Sequence, residues 1–263
     1  MDAICGDLAA EHHSLDELVA TLYEDGWSRA TPSAGWSIRD QISHLWFFDQ
    51  RAAMALRDAD EFAADTEQLI AAGGTAASVV AGRAMTGSQL LGEWRTDRAA
   101  LLALARTVEP STRVPWYGPS MGARSFITAR LMETWAHGHD VVDALGATRP
   151  PTERLRHVAH IGVRARPFSY LINGKLINGK AVPEVPVHVA LTAPDGSVWE
   201  WDGPASDSVR GDALDFCLVV TQRRHLDDTS LQVDGAAATE WMSIAQAFAG
   251  EPGNGRTPGQ FRK

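Results

Sequence analysis

The chain has 263 residues, 44% hydrophobic and 22% charged, which exceeds the usual size of one domain, so two soluble domains are expected. A formal net charge of −9 argues against non-specific nucleic-acid binding, which requires a basic face, and no apolar run approaches the ~20 residues of a membrane-spanning helix. Acids stand near the N-terminus where a secretory signal would be basic, so a cytoplasmic protein with Cys5 and Cys217 as free thiols is expected.

In chain order, residues 4–26 carry Leu8, Leu15, Leu18, Val19 and Leu22 at roughly helical spacing and end at Asp25-Gly26. Ser37 followed by Asp40 resembles a capping box and opens a helix that runs to about Arg57. Further helices are predicted over 60–72, 80–106 and 123–145. An aromatic-lined loop, Val114-Pro-Trp-Tyr-Gly-Pro-Ser-Met-Gly122, precedes the last of these. One more helix is expected over 152–165. Then the texture changes. Residues 185–192 and 197–201, joined at Asp195-Gly196, predict a β-hairpin. Residues 211–221 predict a helix, 231–233 a short strand, 239–249 a last helix, and the Gly/Pro-rich tail an extended segment. The expected architecture is a helical bundle over 1–166 followed by a smaller α+β domain over 167–263. The near-duplicate Leu171–Lys175 and Leu176–Lys180 is too short for a repeat architecture.

The segment Met132–Asp143 contains the densest chemistry. Glu133 and His137 lie four residues apart, hence on one helix face one turn apart, where a carboxylate and an imidazole can grip one divalent ion. His44, in the helix after Ser37, is the best third ligand, and two His with one Glu leave coordination positions open, as catalytic metal sites require. The donor set suits zinc first, and also iron, nickel or manganese. Asp140 shares the face of His137 and can act as a general base or orient a ligating histidine. His139 is about 200° around the helix from His137, so it belongs to a second layer or to solvent; as a base it serves only a hydrolytic reading. A Glu-x-x-x-His pair also occurs on solvated faces, and His44 among Leu45, Trp46, Phe47 and Phe48 equally fits a hydrogen-bonded histidine in a packed helix. Of the adjacent His12 and His13, at most one can face the bundle core.

The His44 segment, Trp36-Ser-Ile-Arg-Asp-Gln-Ile-Ser-His-Leu45, and the downstream Met-Glu-Thr-Trp-Ala-His-Gly-His-Asp run together resemble the DinB-like metal-binding bundle. The closer likeness is to the branch containing mycothiol-dependent maleylpyruvate isomerase, in an uncharacterised metal-binding subgroup with a Pro-Trp-Tyr-Gly-Pro-x-Met loop. The segments 187–201 and 209–224 resemble the C-terminal α+β domain of that branch, which is similar to sterol carrier protein folds. The resemblance implies His44, Glu133 and His137 as the metal ligands. It also implies a mycothiol-type thiol cofactor and isomerase or S-transferase chemistry on a small molecule; a monomer or homodimer is expected. Trp116, Tyr117 and Met121 would wall the pocket mouth, and Arg223 and Arg224 would supply a clamp for a substrate carboxylate. Two other readings stay open: a metal-dependent hydrolase or lyase using metal-bound water, with Asp140 or His139 as base, and a non-catalytic metal-stabilised carrier.

Overall fold

The structure is a computed structural model and describes residues 1–71, 73–175, 182–250, 252–253 and 255–261. The chain divides into two compact units, 1–149 and 150–263. Sequence patterning puts the boundary near 166; the helix Leu155–Arg164, which that boundary assigns to the bundle, instead packs within the second unit.

The first unit is helical: α1 (Asp2–Val19), the short α2 (Glu24–Trp27), α3 (Ile38–Arg57), α4 (Ala59–Ala71), a 3-10 turn (Gly74–Val79), α5 (Val80–Arg83), α6 (Gly87–Thr107) and α7 (Ala123–Leu145). The helix predicted over 4–26 breaks into α1 and α2, and the one predicted over 80–106 into α5 and α6. Local chemistry sets the second break. Thr86 accepts a hydrogen bond from the Gln89 backbone while Gln89 reaches back to the Thr86 N–H, a full capping box that restarts the helix. The Ser37/Asp40 box opens α3 as expected. The loop after α6 is pinned by a two-residue ladder, β1 (Arg113–Val114) with β2 (Met121–Gly122). Gly146, at φ 61°, closes α7 in the left-handed cap that favours glycine.

Helices α1, α3, α6 and α7 pack on one another: α3 lies against α6 and α7, and α1 against the same two. Leu15, Val19, Ile38, Ile42, Leu45, Leu90, Trp94 and Val141 form their shared core. Inside it, Asp49 is fully buried. It accepts from Arg130 Nε (3.1 Å) and Nη2 (2.9 Å), and from Trp94 Nε1 (3.1 Å). The two Arg130 donors on Asp49 Oδ1 lock the register of α3 against α7.

The second unit holds α8 (Leu155–Arg164), α9 (Arg166–Ser169) continuing into a π-helical turn (Tyr170–Lys175), β3 (Val187–Thr192), β4 (Val198–Trp201), β5 (Asp207–Asp212), α10 (Ala213–Val220), a 3-10 turn (Leu226–Asp228), β6 (Gln232–Asp234) and α11 (Ala236–Ile244). The sheet order is β4-β3-β5-β6. β3 pairs antiparallel with β4 through the expected hairpin and parallel with β5. Patterning missed β5. Its sequence, Asp-Ser-Val-Arg-Gly-Asp, lacks apolar alternation because its ends serve other contacts: Asp207 accepts from the Ala237 and Ala238 amides and so caps α11. Gly235 (φ 93°) is required there, since a Cβ would sit 2.3 Å from the Asp207 carboxyl carbon. The first copy of the Leu-Ile-Asn-Gly-Lys duplication lies in the π-turn; the second lies outside the described residues. Cys5 and Cys217 are both buried and outside any disulfide. No helix among the described residues is long and apolar enough to cross a membrane.

Candidate functional site

Helix α3 presents Gln41, His44 and Phe48 at spacings of three and four, so all three share one face. Helix α7 presents Glu133, His137 and Asp140 in the same way. Asp49 pairs with Arg130, whereas Gln41 and His44 meet His137, so the two helices run antiparallel and their polar faces oppose each other.

The result is a cluster assembled from two helices distant in sequence, with Gln41 and His137 separated by 96 positions. The His44 and His137 ring centroids are 4.5 Å apart. Glu133 Oε2 is 3.5 Å from His137 Nε2. His137 Nδ1 is 2.6 Å from Gln41 Oε1, and His44 Nδ1 is 2.9 Å from Ser78 Oγ in the 3-10 turn. Trp36, in the loop before α3, stacks on His137 (6.0 Å, 17°) and tilts over His44 (5.0 Å). Asp140 is fully buried and accepts from Ser33 Oγ in the same loop (3.0 Å). The close packing that brings Ser78 to α3 depends on a glycine in α5: a Cβ on Gly82 would fall 2.4 Å from Ser43.

An aromatic wall extends from His44. Phe48 packs on His44 (4.6 Å), and Trp116 and Tyr117 pack on Phe48 and on Phe62, with Trp116 flat against Phe62 (5.4 Å, 9°). Burial pushes the Tyr117 phenol up to about 12, so it stays protonated at neutral pH. Met121 lies half-buried in β2, opposite Val114. Trp116 and Tyr117, expected at a pocket mouth, are thus joined to His44 through Phe48.

The remaining sequence candidates have their own local surroundings. His139 is buried against Trp135 (4.9 Å), turned about the α7 axis away from His137 and shielded from the solvent that half of its expectation named. His12 is buried 3.7 Å from Asp49, while His13 is on the surface beside Glu17. In the second unit, Arg223 is buried and donates to the Thr221 carbonyl (2.7 Å). Arg224 donates to the Arg223 carbonyl (2.7 Å) and covers the Phe261 ring at 4.0 Å. Both guanidinium groups therefore have local structural work. Gln41, Ser78 and Trp36 were not singled out as site residues. Gln41 carried a signal, three residues before His44 on one face, but Ser78 meets His44 only through tertiary folding.

Among the described residues, no group of three or more His, Cys, Asp or Glu side chains is arranged as a ready-made cation site. An open cleft of about 540 Å³ lies at the start of α3, lined by Glu24, Ser37, Arg39, Asp40, Arg83 and Thr86. Its charges are already paired, Arg39 with Glu24 and Arg83 with Asp40, and none of His44, Glu133 and His137 lines it.

Two uncharacterized proteins of Mycobacterium tuberculosis, from strains CDC 1551 / Oshkosh and ATCC 25618 / H37Rv, are each 44% identical to this chain over 257 residues, covering 95% of it and 96% of their own length. The crystal structure of the mycothiol-dependent maleylpyruvate isomerase superposes with a TM-score of 0.58 at 14% identity, covering 85% of this chain and 89% of that one. A histidine-to-alanine mutant of that isomerase gives 0.57 at 13%. The two-unit fold, a mostly helical unit followed by a smaller one with a mixed sheet, is therefore shared with that isomerase. The model of the mycothiol maleylpyruvate isomerase N-terminal domain matches residues 8–142, the stretch that supplies every residue of the His44–His137 cluster, and the chain belongs to that family.

Proposed function

We propose that this protein is a metal-dependent enzyme that uses a low-molecular-weight thiol of the mycothiol type on a small unsaturated acid, as an isomerase or S-transferase. The observation that carries the reading is the meeting of His44, His137 and Glu133 beneath Trp36, within the region that defines the family. Two imidazoles and one carboxylate are the donor chemistry of a divalent site with open positions, and zinc suits it best. His44, His137 and Glu133 would hold the ion. Such an ion, when bound, supplies Lewis acidity, favouring thiolate over thiol and polarising a carbonyl oxygen.

The protein's own groups set the surroundings. Trp36 and Phe48 cover the imidazoles and exclude water from one side. Tyr117, with its proton held to high pH, is suited to donate a hydrogen bond rather than to act as a base. Asp140, fixed by Ser33, places a carboxylate one helical turn beyond His137. In an isomerase, the thiolate sulfur bonds to the β-carbon of the conjugated acid and the electron pair moves to the carbonyl. Rotation follows about the resulting single bond, and return of the pair expels the thiolate.

The test is elemental analysis of the untagged protein beside His44→Ala and Glu133→Gln. About one divalent ion per chain, lost in both variants, supports the site and leads to thiol-dependent isomerase assays. A wild-type chain that takes up no ion after reconstitution overturns the reading.

A further inference from the structure

Two hydrogen-bond chains end on the paired histidines, and each has a determinable direction. Thr31 Oγ1 donates to the Trp36 carbonyl (2.9 Å) and so has only lone pairs for Gln41 Nε2, which donates to it at 3.0 Å. That fixes the Gln41 amide with Oε1 toward His137 Nδ1. An amide oxygen can only accept, so the proton of this bond is on Nδ1. The second chain is built alike. Ser78 Oγ donates to the Thr75 carbonyl (2.6 Å), so toward His44 Nδ1 it can only accept. In the neutral ring of each histidine the Nε2 atom therefore carries a lone pair. For His137 that atom lies 3.5 Å from Glu133 Oε2.

We propose that Gln41 and Ser78 are positioning residues: each fixes its histidine in the Nδ1–H tautomer, so that the two Nε2 atoms of the His44–His137 pair are presented together for coordination. Both act from fully buried positions, Gln41 at 0% and Ser78 at 1% exposure. The Ser78 carbonyl is itself held by Ser43 Oγ (2.8 Å), which fixes the 3-10 turn on α3. Gln41 has a second task, since its bond to Thr31 ties down the loop that carries Trp36. This is the arrangement by which outer groups orient ligating imidazoles and raise their basicity. It rests on the metal reading only for its purpose; the tautomers are a property of the metal-free chain.

The experiment is long-range ¹H–¹⁵N correlation of the histidine rings in metal-free full-length protein at mildly alkaline pH, with zinc titrated against a chelating dye. The expected result is Nδ1–H for His44 and His137 in the wild type. Gln41→Leu should release only His137 to the Nε2–H form, Ser78→Ala only His44, and each should weaken zinc about 10–100-fold. Gln41→Glu, which still accepts from Nδ1, should keep the His137 tautomer and separates this effect from misfolding. Nε2–H in the wild type, or tautomers unmoved in Gln41→Leu and Ser78→Ala, overturns the assignment. Wild-type protein with both rings Nδ1–H that takes up no zinc would uphold the tautomer assignment and remove the metal reading instead.

Discussion

His12 is buried in the bundle core, edge-on to Trp94 (5.7 Å) and 3.7 Å from Asp49, with neither ring nitrogen hydrogen-bonded among the described residues. Burial pushes its pKa down to about 4; the charges of Arg98 and Arg130 act in the same direction, while Asp49 opposes them. The folded ring therefore stays neutral at pH values where the unfolded chain, with the ordinary value of 6.5, takes a proton. Its contribution to stability is complete above pH 6.5 and is lost as pH falls through the window from 6.5 to about 4. The full loss is on the order of 3 kcal/mol. Urea unfolding of wild type and His12→Gln across that window checks this, and the variant should show the shallower decline with falling pH. Identical slopes would mean that His12 is solvated in the folded state. The Arg130–Asp49–Trp94 bonds make this part of the core polar, and removing Asp49 would leave Arg130 as an uncompensated buried charge.

Among the elements, α8 packs on α10 through Gly162, which leaves no room for a side chain. A Cβ at Gly162 would lie 2.7 Å from Val220 Cγ2 and 3.1 Å from Phe216. Gly162→Ala improves intrinsic helix propensity by roughly 1 kcal/mol. The overpacking it forces costs about 1–3 kcal/mol, so the variant should be destabilised overall. A raised midpoint in urea would show that the contact relaxes freely. Caps were the element-scale feature most open to reading from sequence. Ser37/Asp40 starts α3 where its residue types say it should, because a capping box is local and needs no partner from elsewhere. The Thr86/Gln89 box is equally local, but the Ala- and Leu-rich run around it masks the break in the helix. Strand β5 was not open to such reading: its pairing partners lie on β3 and β6, and its polar residues answer to a cap on α11 rather than to a hydrophobic face.

For the molecule as a whole, two compact units with separate cores predict unfolding that departs from a single two-state transition. Differential scanning calorimetry should show a calorimetric enthalpy larger than the van't Hoff value. Gly162→Ala should lower the part of the endotherm that belongs to residues 150–263. Zinc should raise the part that belongs to residues 1–149, by about 2.7 kcal/mol when free zinc is 100-fold above its Kd. A zinc effect on the other component would move the site out of the bundle. The sequence alone determined the local and periodic features: the long helices, the α3 cap, the β-hairpin, and the single-face spacing of Glu133 with His137, all of which depend on near neighbours along the chain. Tertiary structure decided the rest. The buried Asp49–Arg130 bond set the register that brings His44 to His137. Folding delivered Gln41 and Ser78 to the two Nδ1 atoms, buried His139 against Trp135, and gave Arg223 and Arg224 to local backbone carbonyls. The His44–His137, Gln41–His137 and Ser78–His44 contacts join residues distant in sequence, and periodicity along one segment carries no information about which face of another segment it will meet.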